Sequence, residues 1–305
     1  MRYYKELQPF EGVGLGQTAT LDVPIGPRYH TIQLVGTLKI TGAQADIGNI
    51  FGTIRVKING RTQRECTGVE LNTINYLLGG DPAYKDSIEH PGNPQNGDTI
   101  RISIPIHFAE PWRKSYAASY NMSWPTAWPN GKRLQSFQIE VDIPNTANAS
   151  NLSLKAYADY DDTLGALDTN GNPVMLISRW HRRTVPYTSA GERHITDIDL
   201  QGWLQQIDVF SQSSDPVREI RMLVDNDEVF KSTWWANYHL LDLWGMTKGA
   251  ISSTYFPVVF DRTDNPADAL LLTGRLSADL ILTLPSANAT TKLVTIIYQY
   301  YGPPA

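Results

Sequence analysis

Thr53-Ile54-Arg55-Val56-Lys57-Ile58-Asn59-Gly60-Arg61 decides the fold of this chain. Ile54, Val56 and Ile58 alternate with polar residues, so they share one face of a strand and call for a buried sheet face beneath it. Asn59-Gly60 follows, and both residue types tolerate the positive φ that a two-residue hairpin turn demands. The return strand is Arg61–Thr67, and a helical pattern comes next, with Leu71, Ile74, Leu77 and Leu78 at three- and four-residue spacing over residues 69–78.

The same unit recurs. Ile220-Arg221-Met222 aligns with Ile54-Arg55-Val56 at an offset of 166, and the register holds through the hairpin and helix. Thr67 then meets Thr233, Ile74 meets Leu240, Leu77 meets Leu243 and Gly79 meets Gly245. Pro105-Ile106-His107-Phe108 resembles Pro257-Val258-Val259-Phe260. At a smaller offset of 141, Pro144 meets Pro285, Leu152 meets Leu293, Tyr157 meets Tyr298 and Tyr160 meets Tyr301. Upstream, Leu21-Asp22-Val23 resembles Ile198-Asp199-Leu200, each opening a long strand pair. Repeats decide architecture. Each half reads strand, strand, hairpin, one helix, strand, long excursion, strand, strand.

Further alternating runs at 18–25, 29–40, 99–108, 137–143 and 152–160 complete the first half as strands. Only residues 69–78 and 234–244 read as helix, and the second is apolar nearly all round, so its aromatic stripe reads as core. Seven or eight antiparallel strands with one inserted helix suit a jelly-roll sandwich. The expected fold is therefore all-β, a tandem double jelly roll, each sandwich with one short inserted helix. The turn residues Asp168-Thr169-Asn170-Gly171-Asn172-Pro173 place the division there, giving 1–167 and 168–305. The first jelly roll carries a long loop, 110–132, with Trp112, Trp124 and Trp128.

Composition narrows the function. The 305 residues include 26 Lys and Arg against 31 Asp and Glu, a net charge of −5, with 41% hydrophobic residues. That excludes a disordered chain and a basic lining for nucleic acid. The single Cys66 excludes a disulfide framework and a Cys-rich zinc site. The start, Met1-Arg2-Tyr3-Tyr4-Lys5-Glu6, lacks a secretory apolar region, and no run of about 18 apolar residues occurs. A soluble protein made in a cytoplasm is the expectation.

None of His30, His90, His107, His181, His194 and His239 shows metal spacing. Gly-Val-Gly-Leu-Gly at 12–16 precedes a strand and opens no helix, so it is a turn or arm rather than a phosphate cradle. No Gly-x-Ser-x-Gly elbow is present, and Cys66 has no visible partner base. Three carboxylate clusters stand out: Asp159, Asp161 and Asp162; Asp225, Asp227 and Glu228; Asp261, Asp264 and Asp268. Hard cations take several oxygens from such turns, so Asp159, Asp161 and Asp162 are candidate Ca²⁺ ligands bridging subunits. The competing reading is solvated turns. Arg179, His181, Arg182, Arg183, Arg193 and His194 form a basic stretch, which either meets anionic head groups or a neighbouring subunit, or is an ion-pair surface.

The stretch Gly16-Gln17-Thr18-Ala19-Thr20-Leu21-Asp22-Val23-Pro24-Ile25-Gly26 with Tyr29, the hairpin from Ile54 to Arg61, Leu71-Asn72, Arg179-Trp180-His181-Arg182-Arg183, residues 192–200, and Ile296-Ile297-Tyr298-Gln299-Tyr300-Tyr301-Gly302 together resemble a known family. It is the corticovirus-type major capsid protein, the double jelly-roll coat of tailless, membrane-containing icosahedral bacteriophages. The resemblance implies a structural, non-enzymatic role in the virion. It implies homotrimers of pseudo-hexagonal outline that tile an icosahedral shell over an internal lipid membrane. The implied partners are other copies, vertex (penton) proteins, minor membrane proteins and the lipid, with no specific nucleic acid. The 110–132 loop is longer than the resemblance requires, and a surface tower or intersubunit arm is the expectation for it. The alternative is a carbohydrate-binding sandwich with Trp112, Trp124 and Trp128 as exposed sugar platforms. The sequons at Asn121, Asn148, Asn151 and Asn288 would suit a secreted glycoprotein, but no leader supports one. A glycoside hydrolase lacks a convincing carboxylate pair.

Overall fold

The computed structural model describes residues 1–78, 83–113, 115–211, 216–246, 252–261, 266–285 and 291–305. Gly79, Asp264 and Asn288, singled out above, lie outside them. The chain divides into two compact units, Met1–Ser178 with Pro303–Ala305, and Arg179–Gly302.

The first unit runs β1 (Arg2–Glu6), β2 (Thr18–Asp22), β3 (Arg28–Ile40), α1 (Ile47–Ile50), β4 (Thr53–Ile58), β5 (Arg61–Thr67), α2 (Gly68–Leu78), β6 (Tyr84–Ser87), β7 (Thr99–His107), α3 (Tyr116–Asn121), β8 (Trp124–Pro125), β9 (Phe137–Asp142), β10 (Ala149–Asp161), β11 (Ala166–Leu167) and β12 (Pro173–Val174). One sheet is ordered β1-β10-β3-β7-β6, with β8 beside β3; the other is β5-β4-β9-β2. Period-two alternation puts Ile32, Leu34, Ile102 and Ile104 of the first sheet and Leu21, Ile54, Val56 and Ile139 of the second into the core.

The second unit runs β13 (Ile177–Tyr187), β14 (Gly191–Ile195), β15 (Trp203–Ser211), β16 (Glu219–Val224), β17 (Asp227–Thr233), α4 (Trp234–Leu243), β18 (Tyr255–Val259), β19 (Leu270–Leu271), β20 (Ala278–Leu284) and β21 (Lys292–Gly302). Its sheets are β18-β15-β21-β13 and β14-β20-β16-β17. Ile207, Val209, Ile220, Met222, Leu280, Leu282, Val294 and Ile296 build its core.

The two units share one pairing scheme. β2-β9-β4-β5 corresponds to β14-β20-β16-β17, and β10-β3-β7 to β21-β15-β18. The likeness extends to irregularities: the β4–β5 ladder slips between Val56 and Lys57, and the β16–β17 ladder slips between Met222 and Leu223, at the same offset. Asn59 and Gly60 take φ of 51° and 77°, and Asp225 and Asn226 take 51° and 69°, so both hairpins turn through two left-handed residues. A double jelly roll is therefore the observed fold.

Pairing corrects one alignment. Ile54 pairs with Val141 and Ile220 with Leu282, and those partners in turn pair with Ala19 and Arg193. Leu21 thus corresponds to Ile195, not to Ile198, which lies beyond the end of β14. Three-residue slips are invisible to local sequence likeness because Ile, Leu and Val are interchangeable on a buried face.

The helices correspond too. Asn75 Nδ2 on α2 donates to the Pro105 carbonyl at 2.8 Å, and Asn237 on α4 donates to that of Pro257. Proline has no N–H for a ladder, and both prolines lie where no further strand pairs beyond them. A buried helix asparagine satisfies the carbonyl left facing outward.

The division falls after Ser178 rather than after residue 167. The Asp168 turn closes the small β11–β12 hairpin, its carboxylate accepting from the Asn170 and Asn172 amides. Turn chemistry marks a reversal of the chain, which need not be a boundary. Helices α1 and α3 escape the sequence pattern, being four and six residues long. Among the described residues no helix is long and apolar enough to cross a membrane.

Candidate functional site

The carboxylates singled out as Ca²⁺ ligands are not gathered on one point. Asp159 on β10 is ion-paired with Arg2 of β1, Nε to Oδ1 at 3.1 Å. Asp161 is buried and accepts from His30 Nε2 at 2.9 Å, from the Tyr120 hydroxyl at 3.2 Å and from the Thr163 amide at 2.7 Å. Asp162 is exposed. Among the described residues, no group of three His, Cys, Asp or Glu side chains could hold a metal ion. Alternation alone would put Asp159 and Asp161 on one face, but the β10–β3 ladder slips between Asp159 and Tyr160, which turns Asp161 inward, and the sequence does not reveal that bulge.

In the other clusters, Asp225 and Asp261 have structural partners. Asp225 accepts from the amides of Leu276 and Ser277, and those bonds hold its carboxyl below the usual range. Asp261 accepts from the Tyr301 hydroxyl at 2.9 Å.

Three residues of the basic stretch are met by acids of their own unit. Arg183 pairs with Asp197, His194 Nδ1 with Asp279 at 2.7 Å, and Arg179 lies 3.9 Å from Asp199 while donating to the Gln201 carbonyl. Burial and the neighbouring Arg179 push His181 below its ordinary pKa. Arg179, Arg183 and His194 thus take part in ion pairs within their unit. Cys66 is a buried free thiol.

The 110–132 loop is not a projecting tower over its described residues. Glu110 and Arg113 form a buried ion pair, and β8 joins β3. Trp124 is 0% exposed, its ring 4.5 Å from that of Phe108 at a 41° tilt, with the Arg64 guanidinium 5.1 Å over it. Trp128 is buried against Gly165, donating to the Val174 carbonyl at 3.3 Å. Trp112 meets His107 edge-on. The three indoles expected as sugar platforms are thus mainly internal plugs.

The exposed aromatic surface lies where a core was expected. Helix α4 buries only Asn237 and Leu241, while Trp235 is 74% and Leu243 69% exposed, with Trp244 beside them. The reason is visible in the first unit. There Gly68 opens α2, and a Cβ on it would meet Phe51 at 2.5 Å, because the α1 segment lies over that turn. Trp234 stands at the corresponding position, stacked on Tyr238 and donating to the Tyr255 carbonyl. Between β15 and β16 the described residues form no counterpart of α1. The outer face of α4 is left uncovered within its unit, a feature typical of association surfaces.

A family model, the viral coat protein P2 N-terminal domain, matches residues 4–161. No curated protein matches the chain in sequence. Among solved structures, the chain is similar to the major capsid protein P2 from bacteriophage PM2, with a TM-score of 0.71 and 16% identity over 99% of this chain and 98% of that one. It is similar to the chain in the atomic structure of Sulfolobus turreted icosahedral virus, with a TM-score of 0.72 and 16% identity over 99% and 91%. The PBCV-1 virus capsid chain gives 0.68 and 10% identity over 99% and 93%.

Proposed function

The chain belongs to the viral coat protein P2 N-terminal domain family, and from that premise we propose that it is the major capsid protein of an icosahedral virus, assembling as a homotrimer. The observation that carries this reading is the duplication itself. One chain holds two sandwiches with the same pairing scheme, so a three-fold trimer would present six similar sandwiches and fill a lattice site with six neighbours. The uncovered apolar face of α4 supports association, because a patch of that kind on a lone subunit is costly to leave in water.

In this reading the trimers tile the facets of a virion over an internal lipid membrane. Vertex proteins and minor membrane proteins are the partners, the chain being made in the host cytoplasm. The modest net charge of −5 suits tiling, since strong single-sign charge would repel neighbouring subunits. The role is structural, with no reaction and no specific nucleic acid.

Mass measurement of the purified chain tests the trimer. A particle of three times 34.1 kDa with a hexagonal outline in negative stain is expected, and a strict monomer at high concentration would overturn the reading.

A further inference from the structure

The outer face of the sheet β1-β10-β3-β7-β6 carries an open groove of about 330 Å³. Tyr4 and Tyr157 form one wall, stacked at 5.8 Å and 9°. Tyr84 forms the other. Tyr4 is 60% and Tyr84 66% exposed, so two large amphipathic rings stand open to solvent at either side of one depression.

The floor is polar and already ordered. The Tyr4 hydroxyl donates to Gln33 Oε1 and Gln33 Nε2 donates to Ser103 Oγ, both at 2.5 Å. Thr31 Oγ1 and His107 Nδ1 are 3.1 Å apart. Each of these side chains is fixed by another, so a ligand would meet oriented groups with little side-chain ordering left to do. Charge is balanced nearby: Arg2 pairs with Asp159 and Lys155 with Glu6. Among the described residues no uncompensated cation lines the groove, and Asp159 does, which disfavours an anionic ligand.

We propose that this groove binds a neutral saccharide, its pyranose ring lying against Tyr84 or Tyr4 and its hydroxyls on Gln33, Ser103 and Thr31. A hexose has what the groove asks for, an apolar C–H face and a fringe of hydroxyls that both donate and accept. The volume falls within the range of small-molecule sites, and aromatic walls with a few fixed polar groups are their usual lining. The site is distinct from the tryptophans of the 110–132 loop and independent of the coat role, so either can fail without the other.

Saturation-transfer NMR on the full chain tests it, using the methyl glycosides of glucose, galactose, mannose and N-acetylglucosamine, with N-acetylneuraminic acid as the anionic probe. The expected result is transfer to the ring protons of at least one neutral glycoside, with a Kd on the order of 1 mM. Tyr84→Ala weakens it about tenfold, the worth of one aromatic contact, and Ser103→Ala, which removes a hydroxyl of the floor, weakens it as well. Absence of transfer from all four neutral glycosides, equal transfer in both variants, or preference for N-acetylneuraminic acid overturns the proposal. So does loss of the native oligomer in Tyr84→Ala, which would put the groove inside an interface between copies.

Discussion

Asn59 and Asp225 perform one task in two places. Asn59 Oδ1 accepts from the amides of Gln135 and Ser136, and Asp225 Oδ1 accepts from those of Leu276 and Ser277. Each ties a hairpin turn to the residues just ahead of the strand that pairs beside it, β9 or β20.

That equivalence makes the acceptor oxygen the larger part of what Asp225 contributes, with its charge, facing Arg275 at 3.6 Å, the smaller part. Asp225→Asn is expected to lower the urea midpoint at neutral pH less than Asp225→Gly, which tolerates the left-handed backbone but has no acceptor. Asn59→Gly should cost about 1 kcal/mol by the same loss. Equal midpoints for Asp225→Asn and Asp225→Gly would show that the two amides do not depend on this side chain.

Gly36 is required by packing. A Cβ there would stand 2.4 Å from Ile50 Cγ2 and 3.2 Å from Phe51, both fully buried under α1. Gly36→Ala overpacks this contact and should destabilise the first unit by about 1–3 kcal/mol. Gly36→Ala with Ile50→Leu, which carries no methyl on its Cβ, should recover part of the loss in denaturant titration, and no recovery would point away from this clash.

Acid should loosen the first unit through His30 and Asp161. Burial lowers the His30 pKa, with the Asp161 hydrogen bond opposing it only in part. Burial works against the Asp161 charge, but the bonds from His30 and Thr163 prevail and its pKa lies below the ordinary carboxylate value. Both groups bind fewer protons folded than unfolded, so stability rises with pH. The His30 contribution is complete above about pH 6.5 and is lost as pH falls below it; that of Asp161 is lost below about pH 3.9. Thermal unfolding between pH 7 and 5 should show a falling Tm, with a shallower fall in His30→Gln and a remaining slope from His181, also lowered by burial. An unchanged slope in His30→Gln would exclude this histidine as the source.

Two tryptophans should behave oppositely. Trp124→Ala empties a site among Phe108, Phe137 and Arg64 and should cost about 3–5 kcal/mol. Trp235→Ala should change the stability of the unassembled chain by no more than about 0.5 kcal/mol, because its ring touches mainly Trp234 and water. Its effect belongs to assembly, measured as the concentration at which trimers or larger arrays form.

Period-two alternation, the Asn59-Gly60 turn and the repeat offsets were enough to determine the longer strands, the two matching hairpins and the existence of two like sandwiches, while short strands such as β1 and β6 stayed hidden. These are local properties: side-chain period, tolerance of positive φ, and order along the chain. The sandwich boundary after Ser178, the three-residue correction at Ile195, the internal placement of Trp124 and Trp128, and the exposure of Trp235 were decided only by tertiary structure. An apolar stripe on a helix says that a partner is wanted, and α2 finds one in α1 whereas α4 does not. Likewise Asp159, Asp161 and Asp162 lie close along the chain, but the bulge after Asp159 and their separate partners part them. Local sequence records what each residue can do, while burial and partnership depend on segments distant in the chain, and those are brought together only when the sheets pair.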